Sequence, residues 1–268
     1  MTVAYPLLPK SYRSLFPFKI SVPSYIYPDH MITNVRHIGP FVDEIELLLF
    51  ESHPDSLPGA DDIKELVSVS HDMEIDYNVH LPIDIYLGSR DSAKRRQAVE
   101  TLLSIFDLTS PLTPTAYTLH LEYDPPTRGE DDVMRWQENI QKSFQDLFSE
   151  GIAANHIAIE TLAYPFAWIE RILSEFPLFV CIDIGHLLKE GENPEKIFAF
   201  HEKNVMIMHL HGLDGNHDHQ PLEMLSEYDW KTVLPILKRF LGVLCLEVFS
   251  FDYLKSSLDL LERRFFCR

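Results

Sequence analysis

The chain has 268 residues, about the length of one α/β barrel, so a single hydrophobic core is the simplest expectation. Hydrophobic residues make up 46% of the chain and charged residues 24%, as in an ordinary globular protein. The formal net charge of −18 argues against a nucleic-acid partner, because phosphate backbones are held mainly by clustered Lys and Arg. No stretch approaches the ~18 consecutive apolar residues of a membrane span, so no membrane partner is expected.

The first residues, MTVAYPLLPKSYRSLF, carry prolines where the apolar core of a signal peptide would run. They also lack a small-residue cleavage site, so residues 1–16 are interpreted as an N-terminal extension of a cytoplasmic protein. Cys181, Cys245 and Cys267 are too few for a disulfide framework. The first two lie in predicted central strands and are expected to be buried, reduced thiols.

Short apolar runs alternate with longer amphipathic patterns along the whole chain, which indicates repeated βα units. The predicted strands cover residues 18–24, 44–51, 76–82, 116–122, 156–162, 179–185, 205–211 and 243–250. The predicted helices lie near residues 31–38, 60–73, 91–108, 131–150, 166–175, 194–203, 229–240 and 252–264. Eight such units predict an α/β fold, a (β/α)8 TIM barrel forming one domain over residues 1–268. A doubly wound open sheet is the alternative.

Histidine, aspartate or glutamate stands near the carboxyl end of six consecutive predicted strands. These residues are His80, His120, Glu160, Asp183 with His186, His209 with His211, and Glu247, and the segment after strand seven adds His217 and His219. One such residue alone is more often a satisfied hydrogen-bonding group than a ligand. Six at the same end of a barrel converge on one rim, where carboxylates without cations would repel one another. Imidazole and carboxylate without cysteine suit zinc, manganese or iron(II), so a metal site is predicted.

Other polar and aromatic residues follow the first two strands on the same predicted rim. Candidate substrate-binding residues are Ser24, Tyr25, Tyr27, Glu51 and His211, with His53 nearby. For the tyrosines, Glu51 and His53 the alternative is loop packing, and for His211 it is ordinary hydrogen bonding. Aromatic rim residues would suit a large, flat ligand.

This arrangement resembles the xylose-isomerase-like and endonuclease-IV-like metal-dependent TIM barrels over nearly the whole chain. The resemblance to the trinuclear endonuclease IV pattern implies three ligand groups: His80, His120 and Glu160; Glu160, Asp183, His209 and Glu247; His186, His217 and His219. That family usually has an aspartate where His217 stands, so Asp218 is an alternative ligand. In some sugar epimerases of this fold the strand-seven ligand would correspond to His211. The resemblance assigns the catalytic roles to Glu160, Asp183 and Glu247.

A closer resemblance is to the cobamide-remodelling phosphodiesterases of the CbiR family. It lies in SYIYP (24–28), DEIELLLFE (43–51), VHLPIDIYLGS (79–89) and CIDIGHLL (181–188). It implies a hydrolase that opens the nucleotide loop of a cobamide, a small-molecule substrate. The implied cofactors are two or three divalent transition-metal ions, zinc before manganese or iron, which suit in-line displacement at phosphorus.

Three alternatives come from other classes. A divalent-metal sugar isomerase or epimerase would use one ion and the Glu160/Glu247 pair for proton transfer. An abasic-site DNA endonuclease is disfavoured by the net charge of −18. The third alternative is a non-catalytic metal or corrinoid binder.

Overall fold

The computed structural model describes residues 4–215 and 217–266. The strands within this part of the chain are β1 (Lys19–Pro23), β2 (Glu44–Leu48), β3 (Asp76–His80), β4 (Tyr117–Leu119), β5 (Ile157–Glu160), β6 (Phe179–Asp183), β7 (Val205–Leu210), β8 (Gly212–Asp214), β9 (His217–Gln220) and β10 (Val243–Leu246). A closed parallel barrel is formed in the order β1-β10-β7-β6-β5-β4-β3-β2, and β8 and β9 form a separate antiparallel hairpin. The predicted TIM barrel is confirmed. The open sheet is wrong because β1 pairs with β10, with Lys19 opposite Val243.

The helices surround the barrel and follow the predicted bounds closely. They are α1 (Met31–Ile38), α2 (Ala60–Met73), α3 (Ser92–Thr109), α4 (Glu130–Ser149), α5 (Ala167–Glu175), α6 (Ile184–Lys189), α7 (Pro194–His201), α8 (Glu227–Leu237) and α9 (Phe251–Phe266). Capping residues mark where two of these helices begin. The Asp91 side chain accepts a hydrogen bond from Ala93 N at the start of α3, and Ser226 with Asp229 forms a capping box at the start of α8. The short helix α6 was not predicted. None of the described helices is long and apolar enough to cross a membrane.

The interior of the barrel has two layers, one apolar and one polar. Side chains two residues apart share a strand face, so Ala158 and Glu160, or Cys181 and Asp183, point the same way. Ala116, Ala158, Cys181, Ile207 and Val243 form a small apolar cluster of their own. The acids and histidines lie above this cluster, toward the carboxyl ends of the strands. The fold therefore carries its polar layer on an apolar base.

The N-terminal segment and the cysteines pack as follows. Tyr12 is fully buried, and its hydroxyl donates to Asp259 Oδ1 at 2.7 Å. Arg13 donates to the carbonyl of Met73, at the end of α2 that leads into β3. The extension therefore reaches the amino end of the barrel at Arg13, whereas its Tyr5 stacks on Tyr27, which follows the carboxyl end of β1. Cys181 and Cys245 are buried and free, as predicted, whereas Cys267 lies outside the described residues.

The hairpin of β8 and β9 packs closely on the segment after it. A Cβ atom at Gly212 would collide with the carbonyl oxygen of Pro221. Only glycine allows this approach, because it has no side chain. The hairpin places His219 at the carboxyl end of the barrel, so the glycine at 212 positions part of the polar layer.

We expect Gly212→Ala to destabilise the protein by about 1–3 kcal/mol, because the added methyl group must push two backbone segments apart. Urea unfolding measures the change. Gly59→Ala is the matched control, since its Cβ would meet only Asp62 Oδ2 at 3.5 Å, an ordinary contact. Gly59→Ala should lower the free energy of unfolding by less than about 1 kcal/mol, the usual effect of alanine at a helix N-cap. Equal stability of the two variants would contradict the close packing of β8.

Candidate metal centre

Ligand-type side chains from the barrel strands and the loops after them meet at the carboxyl end of the barrel. We call this set the ligand cluster: His80, His120, Glu160, Asp183, His186, His209, His211, His219 and Glu247. Asp183, His209 and His211 are fully buried, whereas His120, His186 and His219 are partly exposed at the mouth. Barrel closure brings these positions together, because parallel strands place all their carboxyl ends on one rim.

Glu160 stands between two sets of histidines. Its Oε2 lies 3.2 Å from His80 Nε2 and 2.9 Å from His120 Nε2. Its Oε1 lies 3.3 Å from His209 Nδ1 and 3.9 Å from His186 Nδ1. Because its two oxygens face different imidazoles, this carboxylate could contribute one oxygen to each of two ion sites.

Two further carboxylates extend the cluster toward β7 and the hairpin. Asp183 Oδ1 lies 3.3 Å from His211 Nε2, and Asp183 Oδ2 lies 3.2 Å from His186 Nδ1. Glu247 Oε2 lies 3.5 Å from both His209 Nδ1 and His219 Nδ1. Each carboxylate thus faces at least two imidazoles.

Asp183 also fixes the position of His186 through the backbone. Its Oδ1 accepts a 2.7 Å hydrogen bond from the His186 backbone N–H, so it caps the short helix α6. The sequence IDIGH therefore both starts a helix and turns His186 toward the cluster. A Cβ atom at Gly185 would collide with the His211 ring, so this glycine lets His211 pack against α6.

The third group of ligands differs from the one that the resemblance implies. The structure brings His186, His211 and His219 together, with candidate ligand atoms all within 4.8 Å. His217 is exposed on β9 and belongs to none of the candidate groups found among the described residues; His211 stands with His186 and His219 in the place that the resemblance gave to His217. His217 and His219 are two residues apart, so regular strand alternation would place both side chains on one side. The left-handed φ of +53° at His219 breaks that alternation. Asp218 stays at the edge, 3.9 Å from His186 Nε2 and paired with Lys189.

His219 has an unusual backbone conformation for a residue with a side chain. Its φ of +53° lies in the left-handed region, which costs about 1 kcal/mol or more for residues other than glycine. Its backbone nitrogen lies 3.0 Å from His211 Nδ1, which also lies 3.1 Å from the Gly212 carbonyl oxygen. A His211 ring that offers Nε2 to a metal ion carries its proton on Nδ1 and donates to Gly212. The His219 ring faces Glu247, with its Nδ1 3.5 Å from Glu247 Oε2.

The unpaired atoms of the cluster fit a metal ion. Four buried atoms make no hydrogen bond in the described structure: Asp183 Oδ2, His209 Nδ1, His211 Nε2 and Glu247 Oε2. A buried polar atom without a hydrogen-bond partner costs about 1–3 kcal/mol of folding free energy. Two ligands of a tetrahedral zinc ion lie about 3.4 Å apart, given metal–ligand distances near 2.0–2.1 Å. The spacings in this cluster, mostly 3.2–3.5 Å, match that value.

The charges of the cluster depend on one another. Burial by itself would lower the pKa of His120, but Glu160 and Glu122 outweigh it and raise that pKa to about 10. Burial likewise opposes the charged form of His211, and Asp183 outweighs it to raise the pKa to about 9. The pKa of Glu160 is held well below its usual value by His120 and His209, despite burial. Protons and metal ions therefore compete for the same nitrogens, and metal binding should release protons.

The other predicted rim residues have separate environments. Ser24 is buried and accepts a hydrogen bond from Leu48 N at 3.0 Å. Tyr27 is also buried, stacks on Tyr5 and donates to the Pro6 carbonyl, an environment that favours the packing alternative for it. Tyr25 is 47% exposed at the rim. Glu51 is exposed and outside the ligand cluster.

His53 is exposed and lies outside the ligand cluster. Its Nδ1 accepts from Asp55 N at 3.3 Å, at the start of a short turn after β2. This contact within the loop favours the alternative that the sequence had left open for it.

Several residues at the site escaped the sequence reasoning. Glu46 lies inside the barrel and contacts His209 Nε2 at 3.0 Å. Glu122 lies 3.0 Å from His120 Nδ1. Its position two residues after His120 was the only sequence signal for this contact. Phe50, Ile83 and Phe249 surround the mouth, and apolar residues in loops gave no signal for this position.

Two cavities with shared lining residues open at the mouth. One, of about 190 Å³, is lined by Phe50, Phe249 and much of the ligand cluster. The other, of about 390 Å³, is lined by Tyr123, Arg128, Tyr164 and Lys189 among others. Ile83, His120 and His186 line both, so a small molecule in the larger cavity reaches the ligand cluster. The combined space is in the range of small-molecule sites.

Comparisons with known proteins relate this architecture to a family of barrels. A family model described as the xylose isomerase-like TIM barrel matches residues 32–264. A D-tagatose 3-epimerase-like protein superposes with a TM-score of 0.74 at 19% identity, covering 92% of this chain and 97% of that one. A search of curated protein sequences found no match.

Two further solved structures show the same fold. The 3-keto-D-glucoside 4-epimerase from E. coli superposes with a TM-score of 0.71 at 14% identity, over 93% of this chain and 100% of that one. Endonuclease IV from Thermus thermophilus gives a TM-score of 0.65 at 14% identity, over 91% of this chain and 99% of that one. Identities this low show the fold alone.

We expect the metal-replete protein to hold two or three divalent transition-metal ions per chain, because Glu160 faces two separate sets of histidines. Elemental analysis of the purified protein measures the number. Replacing His80 and His120 together with Ala should remove about one ion. His71→Ala, a change of a histidine whose side chain is 92% exposed on α2, is the control and should keep the full number. A replete wild-type protein with one ion would instead favour a one-metal isomerase.

Proposed function

The chain belongs to the xylose isomerase-like TIM barrel family, and from the geometry of its ligand cluster we propose that it is a metal-dependent phosphodiesterase. The observation that carries the proposal is the position of Glu160, with one oxygen toward His80 and His120 and the other toward His209 and His186. A site for two or three ions suits in-line displacement at phosphorus. Zinc is the leading ion, because imidazole and carboxylate are its usual ligands without cysteine.

Divalent ions bound here would activate water and neutralise charge on the phosphate oxygens. The protein's own part is to hold the donors in place before substrate arrives. Glu160, Asp183 and Glu247 supply three negative charges in a buried position. Glu122, 3.0 Å from His120 Nδ1, orients that ring with its Nε2 toward Glu160.

The mouth residues suit a bulky substrate with apolar faces. Tyr25, Phe50 and Ile83 are 46–47% exposed there, and Phe249 packs against the His219 ring. Exposed aromatic and aliphatic side chains around a polar centre favour a ligand that covers them and excludes water. Arg128 lines the adjoining cavity and is a candidate partner for a phosphodiester oxygen, whereas Lys189 there is paired with Asp218.

The leading substrate is a cobamide, whose nucleotide loop contains a phosphodiester. The resemblance of SYIYP (24–28) and VHLPIDIYLGS (79–89) to the cobamide-remodelling phosphodiesterases supports this choice. The net charge of −18 supports a small-molecule substrate over DNA. The cavities of about 190 and 390 Å³ are smaller than a whole cobamide, so only its phosphodiester segment would enter them and the corrinoid would lie on the exposed rim.

Sugar epimerisation is the second candidate, and one observation favours it. Glu160 and Glu247 both lie near His209 Nδ1, at 3.3 and 3.5 Å, so two carboxylates flank one point as proton transfer next to a carbonyl requires. Two of the structural neighbours described above are named as epimerases or epimerase-like. That reaction would leave His80 and His120 without a role, which is why we place it second.

We expect Glu160→Gln to reduce phosphodiester hydrolysis by at least about 100-fold, since loss of even an outer partner of a metal ligand costs about 10–100-fold. The fold should survive, because removing one charge relieves carboxylate crowding. Turnover, metal content and circular dichroism are measured together. Glu44→Gln, a buried glutamate on the same side of β2 as Glu46 and outside the cluster, is the control. Near-normal turnover of Glu160→Gln with full metal would show that the strand-five ligand is wrongly assigned.

We also expect the metal-loaded protein to convert an adenosylated cobamide into the corrinoid without its lower nucleotide. Chromatography with mass detection follows the product, and protein treated with a chelator is the control. The same preparation is tested on abasic duplex DNA at low salt and on a ketose. Intact cobamide together with a cleaved duplex or an epimerised sugar would replace the proposal by the corresponding alternative.

A further inference from the structure

Glu46, a glutamate that is not part of the ligand cluster, lies inside the barrel below it. Glu46 is the third residue of β2 and is fully buried. Its Oε2 lies 3.0 Å from His209 Nε2, and its Oε1 accepts a weak hydrogen bond from Cys245 Sγ at 3.4 Å. The strand order places β2 and β7 apart in the sheet, so this contact crosses the barrel interior.

The His209 ring faces Glu46 with one nitrogen and the ligand cluster with the other. Its Nδ1 lies 3.3 Å from Glu160 Oε1 and 3.5 Å from Glu247 Oε2, and makes no hydrogen bond. An ionised carboxylate can only accept, so the bond to Glu46 requires the proton on Nε2. That proton position leaves the Nδ1 lone pair directed at the cluster in the neutral ring.

Packing alone does not account for a carboxylate at this position. Burying a charge costs several kcal/mol unless partners repay it, and an apolar side chain would fill the same space at less cost. Within residues 4–215 and 217–266, the ion pair found for Glu46 is with His209. The chain thus retains a buried carboxylate whose main contact is one metal-ligand candidate.

We propose that Glu46 is a positioning residue that fixes the ring and the proton of His209 so that Nδ1 binds metal. This rests on the metal centre of the proposed function, but not on the identity of the substrate. Carboxylates behind histidine ligands orient the ring and raise its basicity in metal sites generally. Glu46 touches neither substrate nor the reacting atoms; it acts through His209.

The first test needs no variant at Glu46. Protein with ¹⁵N-labelled histidine is loaded with zinc, and the His209 signals are assigned by their loss in His209→Asn. The expected result is a protonated Nε2 and a zinc-bound Nδ1. A proton on Nδ1, with Nε2 as the zinc ligand, would overturn the proposal.

The second test compares two buried glutamates of one strand. Glu44 is also fully buried, two residues before Glu46, but it accepts from Asn78 Nδ2 at 2.8 Å and from Thr115 instead of a histidine. Zinc affinity is measured by competition with a chromophoric chelator in the absence of substrate. Glu46→Gln should weaken binding by about 10–100-fold, whereas Glu44→Gln should stay near the wild-type value.

The outcomes separate this proposal from the proposed function. Equal zinc affinities of wild type and Glu46→Gln would overturn the role of Glu46, whatever bond the enzyme cleaves. An equal loss in Glu46→Gln and Glu44→Gln would overturn it too, since it would mark a general effect of disturbing β2. Wild-type protein that binds zinc with the expected His209 signals yet hydrolyses no phosphodiester would contradict only the proposed function.

Discussion

Hydrogen bonding between β1 and β10 closes the sheet, and the polar centre depends on that closure. Ser21 stands opposite Cys245 in this pairing, which joins the start of the chain to its last strand. In an open sheet, β2 and β10 would lie at distant positions. In the closed barrel, the contact from Glu46 to His209 becomes possible. The approach of Glu247 to His209 needs no closure, because β10 pairs directly with β7.

The centre concentrates charge where water is scarce, and each carboxylate is matched by imidazoles. Glu160 and Asp183 are almost completely buried, which would be costly for isolated ions. Their neighbouring histidines offset that cost, and bound metal would do so more strongly. Ligands that bind only the folded state stabilise it, so metal content and stability should be linked in this protein. The apolar core between the strands and the helices supplies the folding free energy that offsets the burial of these charges.

The fold by itself leaves the reaction open. Barrels of this kind include proteins named as sugar epimerases and an endonuclease IV, at identities of 14–19% to this chain. Chemistry on a shared scaffold is decided by the side chains at its mouth. Here the deciding features are the histidines on β3 and just after β4, the hairpin that brings in His219, and the apolar residues Phe50, Ile83 and Phe249.

The sequence by itself determined the eight βα units, because runs such as FVCID and VLCL are continuously apolar while the helices repeat with a longer period. It also placed His80, His120, Glu160, Asp183 and Glu247 at one end of the barrel, since position on a strand fixes which rim a residue reaches. Tertiary structure alone decided which histidines after β7 join the cluster. The exclusion of His217 and the inclusion of His211 follow from the fold of the β8–β9 hairpin, and its local pattern carries no such information. Likewise Tyr27 became a core residue and Glu46 a neighbour of His209 through packing across distant segments, which residue type and spacing do not encode.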